Sequence, residues 1–489
     1  MITFHELLKE NYEKWKNEDY VYTKVNKTYR PISFGRMIED TVYLAEALLA
    51  MQLKGRKIII YGKNSTEWMI SDLAVMSYVG ISVGIDKEWQ LQDVKNVIEL
   101  VQADAIIYCD SKKEIINHIK AEYKDMICIS MLDDLPSLIE KGKNIKAQKG
   151  ELFDFEKRDH EECLKVVFTS GTTCFSKAVM LSEKNIFSGW NSLKKRAPMD
   201  ETDICYLFLP LHHTYAGIYN FIYSLISGMK IYLSSGVDQI FNELPEVQPT
   251  VFCAVPLIYK RLYEEMGRDI NKLPDVFGKR IKYIFTGGAY LDEQIRKGYR
   301  EAGLNLLTAY ALSETASSFS IEYSQSKHLK SVGRIFEDIE VKIHRPNEYG
   351  EGEILVRGDN VFIGYMNDEE ANRLAFDEDG YFRTGDLGYI DEENNLYLSG
   401  RKKRIISMDN GENIYPEKIE QIIMRKNENI SSAKVFLSDH KLKVSIYLKR
   451  EDAVDYQKFI DNLNEELPKY ERISSLEVLT DTLDHRLKQ

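Results

Sequence analysis

The chain has 489 residues, and its 77 acidic residues outnumber 65 lysines and arginines to give a formal net charge of −12. This length allows about two to four domains of about 150 residues each, and the acidic charge argues against nucleic acid or anionic membranes as partners. The chain contains no run of about 18 apolar residues, so no membrane span is predicted. The N-terminal segment MITFHELLKENYEKWK lacks the apolar core of a signal peptide. The six cysteines are scattered and form no Cys-x-x-Cys pair, which predicts reduced thiols, no zinc site and a cytoplasmic protein.

Strands and helices alternate in the first part of the chain. The apolar run at 57–61 predicts a buried strand, and a helix is expected at about 66–79. The alternation continues with a strand at 81–85, a helix at 91–102, and strands at 105–108, 204–209, 230–234, 250–254 and 281–286. Such alternation predicts an α/β fold built on parallel sheets with helices on both faces.

The pattern changes in the last third of the chain. Dense strands and frequent turns between about 330 and 400 predict a β-rich subdomain. A basic run then leads into a helix–strand–strand–helix–strand pattern at 416–426, 432–438, 442–449, 455–466 and 475–479. We therefore expect a large N-terminal domain over 1–402, which includes the β-rich part, and a small mobile α+β domain over 403–489.

The most informative segment is Phe-Thr-Ser-Gly-Thr-Thr-Cys-Phe-Ser-Lys at 168–177. Its backbone N–H groups and hydroxyls can surround phosphate oxygens, and Lys177 supplies a positive charge. A flexible Ser/Thr linker is the alternative. Strand-like sequences at 163–168 and 179–181 argue against a linker, so the segment predicts a phosphate-binding loop between two strands.

This loop resembles the phosphate-binding signature TSGTTGxPKG of the AMP-forming adenylating enzymes, a superfamily of acyl-CoA synthetases, adenylation enzymes and luciferases. It departs from that signature at Cys174, Ser176 and Ala178. Further motifs follow in the family's order along about 30–486, and the sequences at 64–75 and 78–86 look closest to fatty-acyl-CoA synthetases. The resemblance implies large layered α/β/α subdomains. It also assigns ATP binding by the loop to Thr169, Ser170, Gly171, Thr172, Thr173 and Lys177.

The segment Tyr-Ala-Leu-Ser-Glu-Thr at 310–315 is similar to the family motif YGxTE. By this resemblance Tyr310 packs on adenine, Ser313 lies in the ATP site, and Glu314 binds Mg²⁺. Thr169 then supplies a hydroxyl near the metal. Without the resemblance, a surface helix cap would explain the Ser-Glu-Thr sequence equally well.

Two further motifs outline an acid pocket. Leu-Pro-Leu-His-His-Thr at 209–214 resembles PLxH, which implies that His213 lies beside the carboxylate and the α-phosphate, although a lone histidine is more often an ordinary residue. Gly287-Gly288-Ala289 resembles the GGA turn, where small residues let the backbone approach a flat base or an acyl group. We expect the acid between His213, this turn and Tyr310.

The Arg-Thr-Gly-Asp sequence ending at Asp386 resembles TGD, and its carboxylate can accept hydrogen bonds from both ribose hydroxyls. An ordinary turn aspartate is the alternative. The resemblance also makes Arg401 a ribose contact and places Lys403 at the hinge. In a sequence similar to GxNIxPxEIE, it places Gly411 beside the channel of the incoming thiol.

The C-terminal segment departs from the family pattern LPxTxxGKIxR, whose lysine contacts the α-phosphate. Aligned on Thr482, that position holds Arg486, while Lys488 is the other candidate. Arginine keeps the charge but is bulkier and planar. The sequence therefore predicts slower adenylation than thioester formation.

The leading hypothesis is an acyl-CoA synthetase that uses ATP, Mg²⁺ and a carboxylic acid, with CoA as thiol acceptor. A stand-alone adenylation enzyme that loads an acyl or amino acid onto the phosphopantetheine of an acyl carrier protein is the first alternative. The second is a nucleotide-binding homologue with weakened adenylation, because Arg486 replaces the family lysine.

Overall fold

The computed structural model describes residues 2–156, 158–169, 177–267, 269–323, 326–404, 406–407, 413–414, 416–438, 441–467 and 471–480. The chain divides into two compact units. The first comprises Met1–Glu340 and Val356–Phe382, and the second comprises Val341–Leu355 and Arg383–Gln489.

Polar residues cap several helices and fix where they begin. Thr3 accepts a hydrogen bond from the backbone N–H of Glu6, whose side chain accepts one from Thr3 in return. Ser182 and Asn185 form the same reciprocal cap further along. The α-helices are α1 (Phe4–Trp15), α2 (Phe34–Ala50), α3 (Thr66–Ala74), α4 (Leu91–Val101), α5 (Lys113–Glu122), α6 (Leu135–Lys149), α7 (Glu183–Arg196), α8 (Tyr223–Ser227), α9 (Ile240–Val247), α10 (Pro256–Glu265), α11 (Leu273–Phe277), α12 (Glu293–Glu301), α13 (Glu369–Ala375), α14 (Pro416–Lys426) and α15 (Tyr456–Glu466).

Strands form where β-branched and aromatic residues are concentrated. They are β1 (Asp19–Val25), β2 (Thr28–Ser33), β3 (Lys57–Tyr61), β4 (Ile81–Ile85), β5 (Ala105–Tyr108), β6 (Ile127–Ser130), β7 (Cys163–Phe168), β8 (Ala178–Ser182), β9 (Ile204–Leu207), β10 (Lys230–Leu233), β11 (Val251–Ala254), β12 (Tyr283–Thr286), β13 (Leu306–Ala311), β14 (Ser318–Ile321), β15 (Arg334–Ile335), β16 (Glu340–His344), β17 (Gly352–Arg357), β18 (Gly364–Tyr365), β19 (Phe382–Ile390), β20 (Leu396–Arg401), β21 (Ile406–Ser407), β22 (Asn413–Ile414), β23 (Ile430–Ser438), β24 (Lys441–Leu448) and β25 (Ser475–Thr480).

Two large sheets organise the described part of the first unit. One has the strand order β18-β8-β7-β4-β3-β5-β6, and the other has the order β15-β14-β13-β12-β11-β9-β10-β1-β2. In the first sheet β3 pairs in parallel with β4 and β5. Its consecutive residues Ile58, Ile59 and Ile60 are fully buried, so both faces of the sheet are covered. The predicted α/β class with layered parallel sheets is confirmed.

The predicted helix at 66–79 changes geometry along its length. The α-helix stops at Ala74, and Val75–Val79 form a π-helical turn. The N–H of Gly80 closes this turn on the carbonyl oxygen of Val75 at 2.8 Å. A Cβ atom at Gly80 would lie only 2.1 Å from the carbonyl oxygen of Arg56, so glycine is required there.

The second unit contains the predicted helix–strand–strand–helix–strand pattern. The strands β23, β24 and β25 form a sheet, while β16, β17, β19 and β20 form the β-rich sheet in that order. Helices α14 and α15 contribute Ile419, Ile423, Ile460 and Leu463 to an apolar cluster with β23 and β24. The predicted boundary between residues 402 and 403 separates a large domain from a small domain that moves relative to it, and it stays a prediction.

None of the described helices is both long and apolar enough to cross a membrane. The five cysteines in the described ranges, which are Cys109, Cys128, Cys163, Cys205 and Cys253, are free thiols. The sixth, Cys174, lies outside the described residues.

Candidate active site

A β-hairpin carries the predicted phosphate loop. Strands β7 and β8 pair antiparallel, and Phe168 faces Ala178 at the open end. The N–H of Thr169 donates to the carbonyl oxygen of Lys177 at 3.2 Å, and the N–H of Lys177 donates to Thr169 Oγ1 at 3.3 Å. These bonds fix both ends of the loop. Four predicted ATP contacts lie outside the described residues, namely Ser170, Gly171, Thr172 and Thr173.

One aromatic ring joins the predicted catalytic cation to the predicted metal-binding acid. The Lys177 Nζ lies 4.1 Å from the centroid of the Tyr365 ring, a cation–π distance. The Tyr365 hydroxyl donates to Glu314 Oε1 at 2.8 Å. Burial and the adjacent carboxylate raise the pKa of Tyr365, so its hydroxyl keeps the proton that it donates. Lys177 and Glu314 therefore belong to one cluster.

Tyr365 itself is held by its backbone. It pairs with Val179 of β8, next to the loop-bearing end of the hairpin. Asn372 on α13 accepts from the Tyr365 N–H at 2.6 Å and donates to its carbonyl oxygen at 2.8 Å. Sequence reasoning missed Tyr365, because an aromatic residue after a glycine in a turn-rich segment carries no distinctive functional signal.

Glu314 lies in a short turn that is anchored in the core by its last residue. The turn spans Ser313–Thr315 in 3₁₀ geometry, and Thr315 is fully buried. Its Oγ1 donates to the carbonyl oxygen of Ser317 at 2.7 Å and accepts from the Leu312 N–H at 3.1 Å. The Ser-Glu-Thr sequence therefore forms a half-buried 3₁₀ turn rather than a surface helix cap, and the hydrogen bonds of Thr315 fix the backbone that carries Glu314.

The predicted adenine and acid contacts lie at one edge of the nine-stranded sheet. Strand β12 runs parallel to β11 and β13, so their carboxyl ends meet at this edge, where ligands bind in open α/β sheets. The turn from Gly287 to Ala289 directly follows β12, and Gly288 has a φ of +80°. Tyr310, near the end of β13, is 7% exposed and packs its ring 4.8 Å from that of Phe319.

The two adjacent histidines lie in contact, His212 buried and His213 half-buried, with their rings tilted by 43°. The rings of His212 and His213 are 4.2 Å apart, and His212 Nε2 lies 3.8 Å from Asp86 Oδ2. Burial lowers the pKa of both side chains, and His213 further lowers that of His212, to about 2. At neutral pH both are neutral imidazoles, so His213 can exchange hydrogen bonds with a substrate but adds no positive charge.

A buried ion pair ties the hairpin to the rest of the first sheet. Lys165 Nζ of β7 lies 2.6 and 2.7 Å from the Asp72 carboxylate oxygens on α3, and Ser82 of β4 donates to the same carboxylate at 2.5 Å. Both charged side chains are 0% exposed. Sequence reasoning missed this pair, although each member is a single charge inside an apolar run.

In the second unit, two predicted ribose contacts are paired with each other. Asp386 of β19 and Arg401 of β20 are cross-strand partners, and Arg401 Nε lies 3.1 Å from Asp386 Oδ1. Asp386 is 6% exposed, and its N–H donates to Thr384 Oγ1 at 3.0 Å. The neighbouring Gly385 has a φ of +73°, which a glycine adopts without strain. The TGD sequence thus places a pre-oriented carboxylate beside a guanidinium.

The predicted hinge residue Lys403 lies in the 3₁₀ turn Lys402–Arg404. Its neighbours are anchored in different directions, since Lys402 Nζ lies 2.8 Å from Glu353 and Arg404 is bonded to Glu420 at 2.6 Å. The remaining predicted residues Gly411, Arg486 and Lys488 lie outside the described residues.

The available donors fit magnesium better than a softer metal. Across the described ranges, no group of three or more His, Cys, Asp or Glu side chains could form a complete metal cage. Glu314 offers carboxylate oxygens, and Thr169 offers a hydroxyl oxygen. Magnesium suits oxygen donors of this kind, because it is held by one or two carboxylates together with phosphate and water oxygens.

The chain is similar in sequence to AMP-binding enzymes and to several proteins named long-chain-fatty-acid–CoA ligases. A family model described as AMP-binding enzyme matches residues 8–366. The long-chain-fatty-acid–CoA ligase ACSBG2 of Xenopus laevis is 25% identical over 91% of this chain and 69% of its own length. ACSBG2 of Gallus gallus is 23% identical over 88% and 65%, so the chain spans about two thirds of both ACSBG2 proteins. FadD13 of Mycobacterium tuberculosis, also named a long-chain-fatty-acid–CoA ligase, is 26% identical over 87% and 85%.

Solved structures share the fold over nearly the whole chain. The o-succinylbenzoate CoA synthetase MenE of Bacillus subtilis, in complex with its acyl-adenylate intermediate, superposes with a TM-score of 0.81 at 24% identity, covering 97% of this chain and 94% of its own. A further MenE structure contains ATP and a magnesium ion. ATP-bound MatB of Rhodopseudomonas palustris gives a TM-score of 0.84 at 21% identity, covering 98% and 95%.

Proposed function

Because this chain belongs to the family of AMP-binding enzymes and is an AMP-forming acid–thiol ligase, we propose that it converts a fatty acid into its CoA thioester at the expense of ATP. The single observation that carries the proposal is the cluster of Lys177, Tyr365 and Glu314 at the base of the Ser/Thr loop. The proximity of the Lys177 ammonium and the Glu314 carboxylate to one ring supports roles for them in binding phosphate and Mg²⁺, respectively. The names of the curated relatives support a fatty acid and CoA as the substrates.

In the first half-reaction, a carboxylate oxygen of the acid attacks the α-phosphorus of ATP and the bond to pyrophosphate breaks. Lys177 and the loop that begins at Thr169 stabilise the charge that develops on phosphate oxygens. Glu314 and Thr169 would hold Mg²⁺, which when bound neutralises phosphate charge. Neutral His213 orients the acid by hydrogen bonding and adds no positive charge beside the carboxylate.

We assign the nucleoside contacts residue by residue. Tyr310 and the Gly287–Ala289 turn bind adenine, because a flat base needs an aromatic face and a backbone without bulky side chains. Asp386 accepts hydrogen bonds from the ribose hydroxyls, while Arg401 orients its carboxylate.

In the second half-reaction, the thiol sulfur attacks the acyl carbon and AMP leaves. We assign the thiol to CoA, with Gly411 beside its channel and Arg486 or Lys488 as the cation of the first step. The scattered free cysteines support a cytoplasmic location.

The test is ATP–pyrophosphate exchange with labelled pyrophosphate, Mg²⁺ and a panel of carboxylic acids, followed by thioester assays with CoA and with a phosphopantetheine-bearing carrier protein. We expect acid-dependent exchange and CoA thioester formation. Failure of Mg·ATP to bind in calorimetry would contradict the proposal. Thioester formation on the carrier protein alone would establish the adenylation-enzyme alternative, and ATP binding without exchange would establish the weakened homologue.

A further inference from the structure

Three tyrosines form a continuous column on the helical segment that follows His213. Tyr215 and Tyr219 lie on the π-helix Tyr215–Ile222, and Tyr223 begins α8. The rings of Tyr215 and Tyr219 have centroids 6.0 Å apart, and those of Tyr219 and Tyr223 are 5.3 Å apart. We call these three residues the tyrosine column.

The column begins beside the predicted acid pocket and runs away from it. The Tyr215 hydroxyl donates to the carbonyl oxygen of Phe285 at 2.8 Å, two residues before the Gly287 turn. The Tyr219 ring centroid lies 5.8 Å from that of Phe285. An acyl chain that extended from a carboxylate between His213 and Gly287 toward Phe285 would meet Tyr215 and Tyr219, because both side chains contact Phe285.

The far end of the column is also closed. Tyr223 is fully buried, and a Cβ atom added at Gly189 on α7 would lie 2.4 Å from its hydroxyl oxygen. The same added atom would lie 2.6 Å from Ser317 Cβ. Helix α7 therefore packs directly on the column, and the space beyond Tyr219 is filled by protein atoms.

A hydrogen bond holds the middle ring in place. Tyr219 is 6% exposed, and its hydroxyl oxygen lies 3.1 Å from Ser318 Oγ on β14. Rotating the ring away would leave buried polar atoms without their partner and would require space that a close-packed interior lacks. Binding a long acyl chain would require both the loss of this hydrogen bond and the displacement of packed atoms in every catalytic cycle.

We propose that the tyrosine column ends the acid pocket and that Tyr219 sets the maximum length of the acyl chain, so that the substrate is a short-chain carboxylic acid. The proposal rests on the proposed function and narrows its fatty acid to a short one. It differs from the names of the curated relatives, which refer to long-chain acids.

The experiment compares the parent protein with Tyr219→Ala and Tyr219→Phe, using acetate, butyrate, hexanoate, decanoate and palmitate in pyrophosphate exchange. Acyl-sulfamoyl adenosines of the same lengths, which mimic the acyl-adenylate, are titrated by calorimetry so that binding is measured without turnover. In the parent we expect kcat/KM to fall by at least about tenfold for each methylene beyond the pocket, the lower limit for one methylene in a hydrophobic site.

Tyr219→Ala should move the preferred acid to a longer chain in both assays. Tyr219→Phe keeps the ring, so it should retain the parent preference, and Tyr219→Leu replaces the alanine variant if that one does not fold. Palmitate as the best parent substrate would overturn the inference, as would an unchanged length preference in the folded alanine or leucine variant. If no acid supports exchange and no analogue binds, the proposed function is wrong and the inference falls with it.

Discussion

Tyr365 gives the active-site cluster its geometry although its own side chain carries no charge. Its ring faces the Lys177 ammonium, and its hydroxyl bonds to Glu314. A flexible lysine and a glutamate on a short turn would each lose side-chain freedom on binding a nucleotide. By holding both beforehand, the tyrosine reduces that loss, so we regard it as a positioning residue.

We predict that Tyr365→Phe raises the Mg²⁺ concentration that pyrophosphate exchange requires, while the protein stays folded. The change removes a hydrogen bond to a charged group, worth about 1.5–3 kcal/mol, but leaves the ring under Lys177. The Mg²⁺ concentration for half-maximal exchange should rise roughly tenfold or more. Tyr12→Phe is the matched control, because the Tyr12 hydroxyl also donates to a glutamate at 2.8 Å. Equal effects of the two variants on Mg²⁺ dependence would contradict the positioning role.

His212 predicts a pH dependence of stability. Its pKa is lowered to about 2 in the folded protein, whereas an unfolded histidine titrates near about 6.5. Between these values the unfolded chain binds a proton that the folded chain does not, so stability falls as the pH decreases below about 6.5. The contribution of this group approaches about 1.4 kcal/mol per pH unit.

Urea unfolding between about pH 7 and about pH 5 measures this dependence. His212→Gln should flatten the decline in the free energy of unfolding, and His118→Gln, a change at an exposed position on α5, should not. A parallel decline in the parent and His212→Gln proteins would show that other groups cause it.

At the scale of elements, local patterning was sufficient for the central strands and helices. The run of isoleucines in β3 and the helical spacing of apolar residues in α14 predict boundaries that the structure reproduces. Burial and amphipathicity are both encoded in neighbouring residues. The column of tyrosines and the role of Tyr365 could not be predicted in this way. Each depends on which distant strand faces the residue, and a single sequence does not encode that contact locally.

The hairpin of β7 and β8 depends on the buried pair of Lys165 and Asp72. Removing one member leaves the other charge buried and unpaired, so Lys165→Met should lower the free energy of unfolding by about 3–5 kcal/mol. The double variant Lys165→Met/Asp72→Leu should recover most of that loss. Lys54→Met is the control, because Lys54 and Glu156 are 66% and 83% exposed and such pairs contribute at most about 1 kcal/mol. A double variant no more stable than the single one would show that the charges themselves stabilise the hairpin.

At the scale of the whole molecule, the two successive half-reactions require the C-terminal part of the chain to adopt two orientations. The cation predicted at Arg486 and the thiol channel predicted at Gly411 both serve the same α-phosphate and acyl carbon. They cannot both occupy that position at one time. We therefore propose that residues from Lys403 onward change their orientation between the two half-reactions, and that the large and small domains defined by 1–402 and 403–489 are the parts that move.

The contacts around Lys403 suit it for this role. Lys402 is anchored to Glu353 of the β-rich sheet, while Arg404 is anchored to Glu420 of α14. With both neighbours held, the backbone of Lys403 must absorb the change in dihedral angles. Lys403→Pro fixes φ near about −65°, so one orientation should persist.

We predict that Lys403→Pro retains one half-reaction and loses most of the other. Pyrophosphate exchange measures adenylation, and thioester formation from preformed acyl-AMP measures transfer. Lys403→Ala is the matched control, because it removes the same side chain but leaves the backbone free, and it should retain both. If Lys403→Pro runs both half-reactions at the parent rate, the hinge lies elsewhere. If both variants lose the same half-reaction, the side chain rather than the backbone is responsible.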